Sequence, residues 1–306
     1  MSSVTPLRVA AVLASAIVAT PLHAELVAED DTGREVRLAR PAQRIVSLAP
    51  HVTELLFAAG AGARVVGAVA YSDYPPAARR LPRVGGYGNV DMEGVAALQP
   101  DLVIAWKTGN RDAHLDKLAA LGIAVYVNEP RSLDDVARSL ERLGFLAGSE
   151  ETGRAAAEAF RARRNELAAR YGRRAKVRMF YQIWDRPLMT VNDEHLISDA
   201  IRLCGGENVF GALTQLAPTV GIESVLAADP EVIVASGMGE ARPDWLDQWK
   251  RWPRLAATVA DNLYFIPPEL IQRHTPRILD GAAQLCEFLD QARARRSAAA
   301  RKGASE

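Results

Sequence analysis

Aromatic side chains lie in the loops that follow predicted strands, which are positions where residues commonly contact a ligand. Tyr71 and Tyr74 follow one strand, Trp106 ends another, and Tyr87 lies in a Gly-Gly-Tyr-Gly turn. In open α/β sheets these loops line the ligand crevice. Ordinary partial burial explains each ring equally well when it is taken singly. As a group on one edge, the rings predict a site for a flat, largely apolar ligand that stacks on them.

The sequence carries no common catalytic motif. It contains no GxGxxG, Walker, GxSxG or HExxH pattern. Ser47, His51 and Glu54 lie close together, but we interpret His51 and Thr53 as caps of the helix that begins there. We therefore assign no catalytic residue, and an exported hydrolase is the least favoured function.

Nothing in the sequence indicates a metal site. A metal-ion receptor needs several convergent histidines or carboxylates. His51, His114, His195 and His274 show no ligand spacing, and no CxxC pair exists. We expect no metal bound directly by side chains.

One segment of the chain occurs twice, at residues 93–106 and 223–236. Several positions recur in register: Glu93, Val95, Ala97, Pro100 and Ala105 match Glu223, Val225, Ala227, Pro230 and Ala235. Each copy predicts a short helix broken before its proline, because proline disfavours helical geometry in the preceding residue. The apolar run that follows is typical of a strand buried on both faces of a parallel sheet. The repeat predicts two similar lobes with one carboxylate each at equivalent points, and a partner of two-fold character.

The remaining pattern predicts an α/β protein with two Rossmann-like lobes, mostly parallel sheets and one long connecting helix. Strands and helices alternate on both sides of Glu150–Tyr171, a run of helix formers without proline. Such a helix spans about 33 Å and makes a stiff connection. The basic, polar tail is typical of disorder. The predicted segments are a leader (1–24), a first lobe (25–148), the connecting helix (149–172), a second lobe (173–294) and a disordered tail (295–306).

The first 24 residues have the pattern of a secretory signal peptide. Arg8 precedes the apolar run Val9–Ala19, and Ala24 suits the cleavage position. The run is shorter than the roughly 18–20 residues of a membrane anchor, and no cysteine for lipid attachment lies near the cleavage point. We expect a soluble periplasmic protein, cleaved near Ala24.

Composition narrows the choice of partners. The 306 residues, 49% of them hydrophobic, suffice for two lobes of ordinary size. The formal net charge at pH 7 is +0, and removing the leader takes away Arg8 but no acid. The balance gives no electrostatic reason to expect nucleic acid or an anionic membrane as partner.

The two cysteines, Cys204 and Cys286, both fall in helical patterns of the second lobe. In an oxidising compartment an isolated pair usually forms a disulfide. The alternative is two buried free thiols, since cysteine is among the residues most often buried.

The chain resembles the helical-backbone (class III) substrate-binding proteins of metal-chelate ABC importers, and within them the receptors for cobalamin-type corrinoids. The resemblance extends from about Arg44 to Leu289. It rests on five segments: Arg44–Glu54 (RIVSLAPHVTE), Ala70–Pro76 (AYSDYPP), Pro100–Trp106 (PDLVIAW), Cys204–Phe210 (CGGENVF) and Thr275–Ile278 (TPRI).

This resemblance implies a monomeric receptor that binds its ligand between two lobes and delivers it to an ABC transporter permease dimer, without performing a reaction. Glu93 and Glu223 are then the residues that dock on permease arginines. Cys204 and Cys286 form a disulfide. The ligand positions fall on Tyr71, Tyr87, Trp106, Met189, Ala217, Glu269 and Arg273.

Three of these positions depart from the corrinoid receptors. Tyr87, Met189 and Ala217 stand where the resemblance calls for Trp, Phe and Trp, which weakens stacking in the second lobe. We interpret Trp184 as the candidate replacement. Relatives with this scaffold bind haem or ferric siderophores, and for such a ligand Tyr71 or His274 is the candidate iron ligand.

Overall fold

The computed structural model describes residues 25–237 and 242–303, and the leader predicted over 1–24 lies outside them. Each half of the chain contains a four-stranded sheet in which all strands are parallel. One long helix joins the halves. The predicted α/β class is confirmed. Over these same residues, no helix is both long and apolar enough to cross a membrane.

The first lobe begins with an antiparallel hairpin, and its main sheet has the order β4-β3-β7-β8. Residues of β7 alternate between two hydrophobic clusters, Leu102 and Ile104 in one and Val103 and Ala105 in the other. The strand is therefore buried on both faces, as predicted. The strands are β1 (Leu26–Glu29), β2 (Glu35–Leu38), β3 (Ile45–Ser47), β4 (Val65–Ala68), β5 (Gly85–Gly86), β6 (Asn89–Val90), β7 (Leu102–Trp106) and β8 (Ala124–Asn128).

Four helices belong to this lobe and a fifth leaves it. They are α1 (Pro50–Ala58), α2 (Met92–Ala97), α3 (Asp112–Ala120), α4 (Leu133–Ala147) and α5 (Glu150–Tyr171), with 3-10 turns at Gly62–Arg64 and Pro76–Arg80. The prediction that His51 and Thr53 cap the first helix is wrong. Pro50 occupies the start of α1, where its fixed φ suits the first turn and its missing N–H costs nothing. The Thr53 hydroxyl instead bonds Ser47 and Ser72.

The connecting helix α5 lies against α4 in close backbone contact. A Cβ atom on Gly153 would stand 2.6 Å from the carbonyl oxygen of Leu140, so only glycine fits this crossing. Further along, Arg161 binds Glu141 of α4 through two hydrogen bonds of 2.5 and 2.9 Å. The connector is therefore anchored along the first lobe.

The second lobe repeats the plan, with sheet order β10-β9-β11-β12. Its strands are β9 (Val177–Gln182), β10 (Gly206–Asn208), β11 (Val232–Ala235) and β12 (Leu263–Phe265). Its helices are α6 (Leu196–Leu203), α7 (Ile222–Ala228), α8 (Ala256–Val259), α9 (Pro268–Ile271) and α10 (Ile278–Gly303), with a 3-10 helix at Asp244–Arg251.

The sequence repeat forms the same unit in both lobes. The pair α2–β7 in the first lobe corresponds to α7–β11 in the second. Val95 and Val225, at matching positions of these helices, are both fully buried. Glu93 and Glu223 both lie in the first helical turn and are exposed.

The prediction of a disordered tail from residue 295 is wrong as far as Gly303, because α10 continues to that residue. Arg295 donates to the carbonyl oxygens of Ala260 and Asp261, at 2.9 and 2.6 Å. Arg296 pairs with Glu231 at 2.8 Å. These contacts, with the helix-favouring alanines that follow, hold the extension in helical form.

The disulfide between Cys204 and Cys286 is confirmed. Cys204 caps the end of α6, Cys286 lies within α10, and both are fully buried. The bond fastens α6 to the C-terminal helix within the core of the second lobe.

Candidate functional site

Two of the predicted aromatic residues of the first lobe follow or end strands of the parallel sheet, and the third lies in a separate antiparallel hairpin. Tyr71 follows β4, Trp106 is the last residue of β7, and Tyr87 lies in the turn between β5 and β6. Tyr71 is 74% exposed, and its φ of 64° is in the left-handed region, which costs a non-glycine residue about 1–2 kcal/mol. Such strain is typical of functional sites, where surrounding contacts hold it in place.

Tyr87 and Trp106 form one surface. Their ring centroids are 5.8 Å apart. Asn110 fixes both: its side-chain amide donates to Tyr87 O at 2.7 Å and to Leu48 O at 3.0 Å, and its oxygen accepts from Trp106 N at 2.7 Å. Asn110, which sequence reasoning missed, therefore ties together the backbone segments that carry the two rings.

Gly109 lies directly against the indole ring of Trp106. A Cβ atom at this position would lie 1.9 Å from Trp106 Cε3 and 2.4 Å from Cζ3. The indole therefore occupies the space that any side chain at residue 109 would need. This makes Gly109 a second residue of the site that the sequence alone did not reveal.

Three histidines converge behind Trp106, although their spacing in sequence suggested no cluster. The ring of His51, in α1, is 5.3 Å from that of His274. The ring of His195, the residue before α6, is 5.8 Å from that of His274. His51 belongs to the first lobe and the other two to the second, so the cluster spans the junction between lobes.

Burial keeps these imidazoles neutral. Desolvation lowers the pKa of His274 to about 4 and that of His195 to about 3. It also lowers the pKa of His51 well below its usual range, with the neighbouring His274 adding to the effect. In the described part of the chain, no group of three or more His, Cys, Asp or Glu side chains could hold a metal ion.

The same cluster contains polar atoms without a partner. Nε2 of His51, Nε1 of Trp106 and Nδ1 of His274 are buried and make no hydrogen bond. Buried polar groups are normally satisfied by protein, water or ligand. The junction between the lobes therefore presents hydrogen-bonding capacity that protein atoms leave unused.

Arg273 crosses from the second lobe to the first. Its guanidinium binds Glu54 at 2.7 Å and Asp73 at 2.8 Å, and it also donates to Tyr71 O at 3.3 Å. Arg277 binds the same Glu54 through Nε at 2.9 Å and Nη2 at 2.8 Å. The structure thus joins Arg273 to Tyr71, two of the predicted ligand residues, through the backbone.

Met189 and Glu269 lie on other elements of the second lobe. Met189 pairs with Trp184 in an antiparallel bridge, and both are partly buried. Residues directly opposite each other in such a bridge point their side chains to one face, so Trp184 stands beside Met189. Glu269 is in the first turn of α9 and is partly buried. Among the described contacts, no hydrogen bond, ion pair or ring contact joins Met189 or Glu269 to the first-lobe aromatics.

A separate recess of about 580 Å³ lies at the end of β8 and is lined mostly by charged residues. Burial raises the pKa of two of its carboxyl groups, Asp31 and Glu129. Glu129 accepts from the backbone and hydroxyl of Thr108, two residues beyond Trp106. The charged lining of this recess does not suit a flat apolar ligand. The aromatic edge, which consists of Tyr71, Tyr87 and Trp106, therefore remains the better candidate for the ligand site.

The chain belongs to the periplasmic binding protein family, whose model matches residues 45–270. Among its relatives are vitamin B12-binding proteins. That of Vibrio cholerae serotype O1 is 38% identical over 250 residues, which cover 81% of this chain and 90% of the relative. That of Yersinia pestis is 38% identical over 249 residues, covering 81% and 87%.

Solved structures agree with this membership. The periplasmic vitamin B12 binding protein BtuF of Vibrio cholerae has a TM-score of 0.76 and 37% identity, over 83% of this chain and 98% of that one. The periplasmic heme-binding protein RhuT of Roseiflexus shares the fold, with a TM-score of 0.71 and 23% identity over 82% and 99%. The resemblance inferred from sequence motifs is confirmed.

Proposed function

We propose that this protein is a periplasmic receptor that captures a cobalamin-type corrinoid and delivers it to the permease of an ABC transporter. The observation that carries the proposal is the aromatic edge of the first lobe. The rings of Tyr87 and Trp106 lie together, Asn110 ties the backbone segments that carry them, and the exposed Tyr71 follows a neighbouring strand. The similarity to vitamin B12-binding proteins supports the choice of ligand.

The two lobes contribute different chemistry to the ligand. Rings of the first lobe offer apolar area for the flat macrocycle. From the second lobe, Arg273 and Glu269 face polar edges of the ligand, with Met189 and Trp184 as the apolar wall. Arg273 keeps its side chain 20% exposed while it binds the first lobe, so part of its charge remains available to the ligand.

Haem or a ferric siderophore is the second candidate ligand. The observation that favours it is the histidine cluster, because neutral imidazole nitrogen is a ligand for iron. His274 presents such a nitrogen without a hydrogen-bond partner, and Tyr71 presents an exposed phenol. The unpaired histidine nitrogens are buried, however, so a chelate does not reach them without a rearrangement of the lobe junction, and the corrinoid is favoured.

Delivery requires contact with the permease, and the proposed contacts are Glu93 and Glu223. They occupy matching positions in the two lobes and are exposed. Charges of this kind set encounter rate and register more than affinity. The protein acts as an exported, monomeric binding protein, and the proposal assigns it no catalytic step.

A panel of ligands tests the proposal. Purified protein is titrated by calorimetry and absorbance with cyanocobalamin, aquocobalamin, hemin and a ferric hydroxamate. We expect the two corrinoids to bind with one site per chain and with the highest affinity. Tight binding of hemin or the ferric chelate, with no heat from either corrinoid, would move the assignment to the second candidate.

A further inference from the structure

Helix α1 of the first lobe directs two buried residues toward the second lobe. His51 and Glu54 are three positions apart, so they share one face of the helix, and both are less than a tenth exposed. His51 contacts the ring of His274, and Glu54 binds the guanidinium groups of Arg273 and Arg277. This face of α1 is therefore where the segment between α9 and α10 meets the first lobe.

Both oxygens of the Glu54 carboxylate accept hydrogen bonds in this contact. Its Oε1 accepts from Arg273 Nη1 and Arg277 Nη2, and its Oε2 accepts from Arg277 Nε. The paired nitrogens of Arg277 make a bidentate bond, the geometry in which arginine binds carboxylates best. Asp73 pairs with Arg273, so two acids of the first lobe balance two cations of the second.

The same two arginines also hold the loop that carries Tyr71. Arg273 donates to the carbonyl oxygen of Tyr71, whose φ is positive. The guanidinium of Arg277 lies 4.0 Å from the centre of the Tyr74 ring, a cation–π contact. The shape of the aromatic loop thus depends on residues that come from the opposite lobe.

We propose that Glu54 is a positioning residue, which fixes the distance between the lobes and the Tyr71 loop before a ligand arrives. It is only 2% exposed in its side chain, so it acts through Arg273 and Arg277 and does not touch the ligand. This contact preorganises the cleft between the two lobes. A cleft that already has its binding width does not pay a free-energy cost for ordering when the ligand binds. The part of this inference that concerns ligand affinity rests on the proposed function, whereas the part that concerns lobe distance does not.

The test is Glu54→Gln, which keeps the size of the side chain and removes its charge. The matched control is Glu231→Gln, because Glu231 is also bound by an arginine, Arg296, but at the amino end of β11, opposite the edge that carries the ligand loops. Spin labels on Ala96→Cys and Ala227→Cys, exposed positions of α2 and α7, report the distance between lobes. The native cysteines stay bonded to each other.

We expect Glu54→Gln without ligand to show a broader and longer distance distribution than the wild type, and Glu231→Gln to leave it unchanged. Cobalamin affinity should fall by roughly tenfold in Glu54→Gln, mostly through slower association, and by less than twofold in the control. A folded Glu54→Gln protein with an unchanged distribution overturns the inference. So does an unchanged affinity, provided that the wild type binds cobalamin.

Arg277→Met is the second variant, because it removes the bidentate partner and leaves Arg273 on Glu54. It should broaden the distribution less than Glu54→Gln, and the double variant should add little to Glu54→Gln alone. If Glu54→Gln does not fold, the distances in Arg277→Met decide the question. If the wild type binds none of the corrinoids, the proposed function fails, while the ligand-free distances still test the role of Glu54.

Discussion

The ring of Trp106 stands edge-on to the ring of His51, with centroids 5.2 Å apart and planes at 83°. Trp106 ends a strand and His51 begins a helix, and both belong to the first lobe. From the second lobe, His274 approaches Trp106 to 6.3 Å in the same edge-on geometry. The ring of Trp106 therefore forms part of two surfaces, the aromatic edge and the junction of the lobes.

Trp106→Ala should weaken corrinoid binding at least several-fold, because it removes ring burial and stacking together. Loss of an aromatic anchor typically costs a binding site about 1–4 kcal/mol. The melting temperature should fall only moderately, since the ring is partly exposed. Calorimetric titration and thermal denaturation measure both effects. Trp252→Ala is the control, because Trp252 packs against the second-lobe core cluster, and it should lower stability without changing affinity. An unchanged affinity in Trp106→Ala excludes the stacking role.

Gly109→Ala should reduce affinity nearly as much as Trp106→Ala, although it adds a methyl group and removes nothing. The new Cβ would lie 1.9 Å from the indole, so the ring must move. Gly86→Ala is the matched control, because a Cβ there meets nothing within 4 Å. Titration of both variants checks the prediction, and equal affinities would show that the position of the Trp106 ring does not govern binding.

The free energy of unfolding should fall as the pH is lowered from about 6.5 to about 4. His274 has its pKa lowered to about 4 by burial, whereas an unfolded histidine has a pKa of about 6.5. Between these values the unfolded chain binds the extra proton, so stability is fully present above the unfolded pKa and declines below it. The shift corresponds to about 3 kcal/mol for His274.

Urea denaturation at several pH values measures this dependence, and His274→Gln isolates the residue. The variant should show a flatter decline than the wild type. His51 and His195 lie in the same cluster, and Arg273 lies beside His51, so part of the dependence should remain. An identical decline in both proteins would mean that His274 is not a source of the acid sensitivity.

Reversing the charges of the two proposed docking residues, Glu93→Lys with Glu223→Lys, should abolish uptake while leaving ligand affinity nearly unchanged. Both side chains are exposed and stand on equivalent helices of the two lobes. Surface charges mainly set encounter and register. Growth dependent on the ligand measures uptake, and titration measures binding. A loss of affinity of about tenfold, worth about 1.4 kcal/mol, would place these residues in the ligand site instead.

Removing the disulfide by Cys204→Ser with Cys286→Ser should lower stability by about 3–5 kcal/mol, because the bond closes a long loop in the unfolded chain. The two cysteines are 82 residues apart in sequence. Urea denaturation of the variant and of the oxidised wild type measures the difference. Thiol titration of denatured, unreduced protein should detect no free thiol, and two thiols per chain would contradict the bond.

Local pattern was enough to predict the elements that carry the site. The run Glu150–Tyr171 is helical over the predicted range, because its composition favours helix throughout. The apolar runs after Pro100 and Pro230 are strands β7 and β11. Since parallel strands end at one edge of a sheet, the placement of Tyr71 and Trp106 at that edge followed from sequence alone.

The junction of the lobes could not be predicted in the same way. His51, His195 and His274 are separated by long stretches of sequence, and they meet only because two lobes pack together. Arg273 was predicted as a ligand residue, but its bonds to Glu54 depend on the same packing. The prediction of a disordered tail was wrong for a related reason. The composition of the tail resembles that of a disordered segment, and the partners of Arg295 lie far away in sequence.

Because α5 continues far beyond its crossing with α4 at Gly153, a small tilt at the crossing produces a large displacement at the far end of the helix. From this residue α5 runs on for about 27 Å to Tyr171, at 1.5 Å per residue. A change of about 10° in its tilt at the crossing would move the far end by about 5 Å. The second lobe contacts the helix between Gly153 and that far end, where Arg163 binds Asp280 at 2.6 Å. A side chain at residue 153 that forced such a tilt would therefore change the opening of the cleft by more than the width of a water molecule.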